Sequence, residues 1–391
     1  MKPGTTERRI EQELVRLRDE LEFRTLETLG GKNLVSNDYL GLAEDPRLKR
    51  AVVEAIARAK SVGSTGSRLL SGNSPEWEAL ESTFAEFAGT QSALYFGSGY
   101  AANLGLLGSL LRTGDLVFSD ALNHASLIDG IRLSRARKII YPHGDLQFLE
   151  EALGEHAGAA GRRIIVTETL FSMEGDIAPL TEMASLARRY GADLVIDEAH
   201  ATGTCGPEGR GIAAHLGLER EMLAIVHTAS KALGSAGAFV CGRRCLKDYL
   251  VNRARTFIFS TAMPPYMAGQ IEAALELARN AARERDHLHL VSSALREGLR
   301  TVGLSSARSS AQIVPIMLGS SDRALKVAAE LEREGFAVRA IRPPTVPRGT
   351  ERIRVSLTAK ISLDDIRHLL AALDRASRSP SREASPSAMH A

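Results

Sequence analysis

At roughly 150 residues per domain, 391 residues make two or three packed units, and 44% hydrophobic with 25% charged residues excludes a mostly disordered chain. The 49 Lys plus Arg and 47 Asp plus Glu leave a net charge of +2, so there is no general basic field for nucleic acid or anionic lipid. No apolar run approaches the roughly 18 residues that cross a bilayer, Met1 to Glu13 lacks an apolar signal core, and three cysteines (Cys205, Cys241, Cys245) fit reduced thiols in a cytoplasm.

Ile10, Leu14, Leu17 and Leu21 fall on one face of a predicted helix, Glu7 to Leu29. After a short stretch, Asn33 to Leu42, a helix is predicted over Asp45–Lys60, with Pro46 near its start. A Gly/Ser-rich loop, Ser61 to Pro75, leads into a helix over Pro75–Ala88. From Gln91 onward, short apolar runs alternate with helical patterns: Ala93–Phe96, Leu116–Ser119, Ile139–Tyr141, Ile164–Thr167, Leu194–Ile196, Ala224–His227 and Ala238–Cys241. Runs that are apolar throughout fit strands buried on both faces of a largely parallel α/β sheet. A long helix is predicted over Pro265–Arg300. Beyond it, strands at Ile313–Met317, Ala337–Ile341 and Ile353–Leu357 and helices at Asp322–Gly335 and Leu363–Ala376 form a smaller α+β unit. The expected division is an arm at 1–45, a large domain at 46–265, a small domain at 266–376 and a disordered tail at 377–391.

Gly97-Ser98-Gly99-Tyr100-Ala101-Ala102 follows a predicted strand and opens a helix, in the GxGxxA pattern of a dinucleotide site. Free N–H groups at a helix N-terminus bind phosphate in general, so the pattern points to a phosphate site with the ligand open. Asp197-Glu198-Ala199-His200 spells a helicase box, but the phosphate loop that a helicase needs is missing. Asp197 does end a buried strand, where open α/β sheets place their ligands. Lys231 lies among small residues in Thr228-Ala229-Ser230-Lys231-Ala232-Leu233-Gly234, also just after a strand. Taken alone it reads as a surface lysine, but small neighbours leave room for a ligand. A lysine in such a place can bond an aldehyde, and an acid such as Asp197 can hold a pyridine nitrogen. With the Gly99-Tyr100 turn, these are the parts of a pyridoxal phosphate (PLP) site. His124 and His200 also follow predicted strand ends. Cys241 and Cys245 lack the partners of a zinc site, and no metal is expected.

Nine motifs in order carry a resemblance that runs from about Arg24 to Ala376. They are Ser36–Leu42, Gly66–Gly72, Ser98–Asn103, Asn123–Leu127, Phe171–Asp176, the Asp197 and Lys231 motifs, Ser260–Pro265 and Ala340–Pro347. Together they resemble the α-oxoamine synthase family of fold-type I PLP-dependent enzymes. The resemblance implies a large domain with a mostly parallel central sheet and a smaller C-terminal α+β domain. It implies a cytoplasmic homodimer, with Ser260-Thr261 near the neighbouring subunit's cofactor, and no nucleic-acid or membrane partner.

It also implies roles. Lys231 matches the lysine that bonds PLP and Asp197 the partner of the ring nitrogen. His124 matches the residue that stacks on the ring and meets substrate, and His200 the one near the phenolic oxygen. These four are the expected catalytic residues. Ser172 and Thr228 match cofactor-binding hydroxyls, and Gly99 and Tyr100 the turn near the phosphate. Arg24 and Thr345 resemble substrate contacts, and Arg354 the arginine that takes an amino-acid carboxylate. The implied reaction is a decarboxylating condensation of an amino acid with an acyl thioester. Ile341–Pro347 favours the branch of biotin biosynthesis, which uses L-alanine and a pimeloyl thioester on CoA or acyl carrier protein. The glycine C-acetyltransferase, 5-aminolevulinate synthase and serine palmitoyltransferase branches stay open, and a NAD(P) oxidoreductase remains a remote alternative.

Overall fold

The computed structural model describes residues 4–28 and 30–378. Each of the seven apolar runs is a strand of one sheet. In spatial order they are Ser92–Phe96, Ala238–Gly242, Ala224–Thr228, Asp193–Asp197, Arg163–Glu168, Leu116–Asp120 and Arg137–Tyr141. All run parallel except Ala238–Gly242, which is antiparallel to both neighbours. Four are buried at every residue, which is why their sequences do not alternate. Arg137–Tyr141 closes one edge and is mostly exposed. Its Arg137 and Lys138 charge that edge against further strand pairing.

Helices cover both faces. One face packs against Gly99–Leu110, Ala125–Ser134 and Arg244–Arg253 through Leu106, Ile131 and Leu250. The other packs against Pro75–Ala88, Leu146–Glu155 and Leu180–Tyr190 through Phe84, Leu149 and Met183. Phe84 stacks on Phe239 with ring centroids 3.8 Å apart, and Trp77 stacks on Tyr95 at 4.3 Å. Gly130 lets the helices Gly99–Leu110 and Ala125–Ser134 touch. A Cβ there would lie 2.9 Å from Leu107 Cβ and 3.0 Å from the Asn103 carbonyl oxygen, closer than packed atoms allow.

The C-terminal part holds a three-stranded antiparallel sheet, in the order Ala340–Ile341, Arg352–Ser356, Ile313–Met317, packed on helices that include Ser321–Arg333 and Leu363–Arg378. Three elements depart from the sequence expectation. The first helix is Thr5–Asp19 and stops short of Leu29. None of its residues is buried, so no core contact extends it, and Leu21 turns away at φ 57°. The predicted helix Pro265–Arg300 is two helices, Tyr266–Arg279 and Ala282–Thr301. Ala281 leaves helical geometry at ψ 40°, and Asn280 bonds back to the Glu276 carbonyl. The run Ala337–Ile341 is split: Phe336–Ala337 pairs in parallel with Lys32–Asn33, which ties the N-terminal arm to the C-terminal part. Of the expected disordered tail, Ser377 and Arg378 belong to the last helix, and residues 379–391 lie outside the described residues, as does Leu29.

Candidate active site

Because the strands are parallel, their C-terminal ends share one edge of the sheet. The loops after Phe96, Asp120, Glu168, Asp197 and Thr228 therefore open on the same side. They carry Gly99 and Tyr100, His124, Ser172, His200 and Lys231 respectively.

Lys231 Nζ lies 2.7 Å from His200 Nε2, and His200 Nδ1 lies 2.6 Å from Tyr39 Oη. The Tyr39 hydroxyl donates to Asn37 Oδ1 at 3.1 Å. Its oxygen then accepts from His200 Nδ1–H, which leaves the Nε2 lone pair facing the lysine. Burial holds His200 well below the usual histidine pKa, and the positive charges of Lys231 and Arg354 add to this, so the ring is neutral. Burial also pushes Lys231 down to about 8, against the pull of Asp197 and Glu168. An amine so placed exchanges its proton near neutral pH.

Asp197 is buried at the end of its strand. Oδ2 accepts from Asn103 Nδ2 at 2.7 Å and Oδ1 from the Ala199 N–H at 2.9 Å. Asn103 also donates to Ser126 Oγ, which in turn meets His124 Nδ1 at 2.8 Å. His124 caps the helix Ala125–Ser134 through Nδ1, and burial, opposed by Asp197 and aided by Lys231, holds it below the usual histidine pKa. Thr228 donates to the Ala199 carbonyl at 3.1 Å. The Thr228 Cγ2 lies 3.0 Å from where a Cβ on Gly99 would be. Any larger residue at 99 would narrow the space above this helix start.

Arg354 is 8% exposed. Its Nε donates to the Ser172 carbonyl, Nη1 to Ser356 Oγ at 2.7 Å and Nη2 to Asn37 Oδ1 at 3.1 Å. Asn37 thus joins the Arg354 and Tyr39–His200–Lys231 sets. Arg24 and Thr345 meet each other at 2.9 Å, across 321 positions of sequence. They line a cavity of about 660 Å³ between the N-terminal arm and the C-terminal sheet, together with Arg18, Arg339 and Ile341. None of the groups bonded to Lys231 lines that cavity. Tyr100 is 43% exposed; its hydroxyl bonds Asp129 and its ring meets the His124 ring edge-on, with centroids 6.3 Å apart.

A family model described as aminotransferase class I and II matches residues 31–373. The chain belongs to the class I and II aminotransferase family. Within this family, the 8-amino-7-oxononanoate synthase of Geobacter sulfurreducens is 44% identical over 383 residues, covering 94% of this chain and 97% of that protein. The protein of the same name from Anaeromyxobacter dehalogenans is 46% identical over 348 residues, 88% of this chain and 87% of that one. Among solved structures, serine palmitoyltransferase from S. paucimobilis with a bound PLP–myriocin aldimine superposes at TM-score 0.88, with 29% identity, over 96% of this chain and 99% of that one. An 8-amino-7-oxononanoate synthase from Francisella tularensis superposes at TM-score 0.77, with 28% identity, over 88% and 97%.

The donor set of this aminotransferase-family chain fits PLP. It has an amine with lowered pKa, a buried carboxylate whose two oxygens are each held by one donor, and a helix start whose first N–H groups, at Gly99 and Tyr100, have no partner within the helix. Four residues of the candidate site are not singled out by the sequence analysis: Asn37, Tyr39, Asn103 and Glu168. Asn37, Tyr39 and Asn103 stand inside motifs already quoted for the family resemblance. Glu168 stands at the end of a strand, where Asp197 also stands. Strand-end position was the signal that could have found it.

Proposed function

We propose that this chain is an 8-amino-7-oxononanoate synthase. It would condense L-alanine with a pimeloyl thioester, on CoA or acyl carrier protein, releasing CO2 and the free thiol, as a step of biotin biosynthesis. The relatives of that name, at 44–46% identity over most of both chains, support the reaction. The observation that carries the chemistry is the join between a buried arginine and a lysine of lowered pKa through Asn37, Tyr39 and His200.

PLP, when bound, supplies an aldehyde for Lys231 and a conjugated ring that takes up the electron pair left when Cα loses a proton. Asp197 would hold the proton on the ring nitrogen, its two oxygens fixed in place by the Asn103 and Ala199 donors. The Gly99 and Tyr100 N–H groups would take the phosphate, and His124, Ser172, Thr228 and His200 would line the ring. Arg354 would receive the alanine carboxylate, exchanging its Asn37 contact for a charged one. Nζ of Lys231, poised near pH 8, accepts the Cα proton and later returns one. His200 and Tyr39 hold Nζ in place for that transfer. Arg24 and Thr345 would contact the acyl thioester in their cavity.

The protein would work as a homodimer. The support is a group of exposed apolar side chains, Val62, Leu69, Leu70 and Phe259, close in sequence to the bridge between Ser67 and Thr261. A reducing cytoplasm suits its three cysteines, none of which is in a disulfide. To test the reaction, PLP-loaded protein is mixed with L-alanine and pimeloyl-CoA or pimeloyl-acyl carrier protein. Thiol release is followed and the product is weighed by mass spectrometry. Formation of the amino ketone supports the reading. Turnover only with glycine or serine and other acyl thioesters moves the chain to another branch, and no thiol release with any donor sinks the proposal.

A further inference from the structure

Glu168 ends the strand Arg163–Glu168, in direct register with Asp197 on the neighbouring parallel strand. In-register residues of parallel strands project to the same side of the sheet. The Glu168 side chain is 3% exposed, and one of its oxygens is unpartnered: Oε2 accepts the Ser172 N–H at 3.2 Å, while Oε1 accepts no hydrogen bond. The backbone N–H of Glu168 donates to Asn123 Oδ1 at 3.2 Å, and Asn123 Nδ2 returns to the Val166 carbonyl at 2.8 Å. Glu168 thus grips the Ser172 loop with its side chain and the residue before His124 with its backbone. The two walls of the candidate site are tied to one residue. A buried carboxyl with an orphan oxygen costs free energy that packing alone does not return, and an apolar side chain of the same length would fill the space without that cost.

We propose that Glu168 is a positioning residue of the cofactor site, an acid that fixes the Ser172 and His124 loops against each other and sets the charge felt by Lys231. This rests on the PLP reading above. The charged groups that act on it are Asp197 and Lys231, beside the backbone N–H groups of His124 and Ser172, with Arg354 and His200 next around Lys231. Burial and then Asp197 push its carboxyl up to about 8, while Lys231 and the His124 and Ser172 N–H groups draw it down. Two groups that lose protons in the same range and feel each other titrate as a pair.

The test uses the apoprotein of the full chain and free PLP, with Glu168→Gln and Glu168→Ala beside the wild type. The rate of PLP capture is read by absorbance across pH 6–10, and the dissociation constant is measured at fixed pH. Gln keeps an acceptor for the Ser172 N–H but cannot ionise. Glu168→Gln is expected to hold PLP within about twofold of wild type, while its capture profile steepens to one group and its midpoint falls by about one pH unit. Glu168→Ala is expected to weaken PLP binding about tenfold through the lost loop contact. A Glu168→Gln profile that coincides with the wild type overturns the proposal, even if Glu168→Ala fails to fold. A wild type that captures no PLP at any pH overturns the cofactor reading instead.

Discussion

Among the described residues, Lys231 is held by one hydrogen bond, from its Nζ to His200 Nε2, and the charges that act on it are those of Asp197, Glu168 and Arg354. No other described lysine is joined to this group. Lys231→Ala is therefore expected to abolish turnover and to retain no PLP after borohydride reduction and denaturation, read by intact mass. Multiple turnovers by that variant would reject its assignment. Asn103 makes a sharper case, because it touches no reacting atom yet holds Asp197 Oδ2. Asn103→Ala leaves that buried oxygen without its side-chain donor. A hydrogen bond to a charged group is worth roughly 1.5–3 kcal/mol, so PLP affinity should fall about tenfold or more by absorbance titration. Unchanged affinity would mean that Asp197 needs no such support. Asp197, Lys231 and the two histidines stood out in the sequence because each follows an apolar strand. Asn37, Tyr39 and Asn103 did not, because their meaning lies in distant partners: Tyr39 meets His200 161 positions away, and Asn103 meets Asp197 94 positions away.

Between elements, His143 does the joining. It bonds Asp120 at 3.0 Å through Nδ1 and Asp176 at 2.9 Å through Nε2, which links the loop before His124 to the loop that carries Ser172. Burial alone would depress this histidine, but the two carboxylates overrule it and hold the pKa at about 10. A folded-state pKa raised above the unfolded value of about 6.5 gives stability that is complete below that value. It is then lost as pH rises through the folded pKa. The melting temperature of wild type minus that of His143→Gln should therefore be largest near pH 6 and shrink steadily towards pH 10. A difference that stays flat over this range would show that the staple does not depend on charge. The elements themselves were legible where burial imposes a pattern, as in the seven strands of the main sheet. The sequence misled where one helical period ran across a break that Ala281 and Asn280 make locally, and where Phe336–Ala337 found its partner in the distant Lys32–Asn33.

For the whole molecule, association is the property at issue. Leu70 is 84% and Phe259 69% exposed, in a chain whose other large apolar side chains are mostly within the core. Such surfaces rarely stay open to water in a monomer. Multi-angle light scattering should give twice the mass of one chain, and Leu70→Glu combined with Phe259→Glu should shift the profile towards the monomer. A fully active wild-type monomer would sink the dimer. The general architecture, a parallel sheet with a smaller C-terminal part, followed from the order of strands and helices. The contacts of the N-terminal arm did not, because they depend on a sheet edge and a cavity that exist only in the folded chain.

The contact between Asn37 and Arg354 also has a meaning in time. These residues stand 317 positions apart. At roughly 5–20 residues per second of synthesis, Asn37 leaves the ribosome about 15–60 seconds before Arg354. Throughout that interval the early residues of the site exist without the arginine that will bind them. The main sheet can close once Gly242 has emerged, and Lys231 with it, but Arg354 waits for the strand Arg352–Ser356. With the roles proposed for Lys231 and Arg354, a growing chain would become able to hold cofactor well before it could take an amino acid.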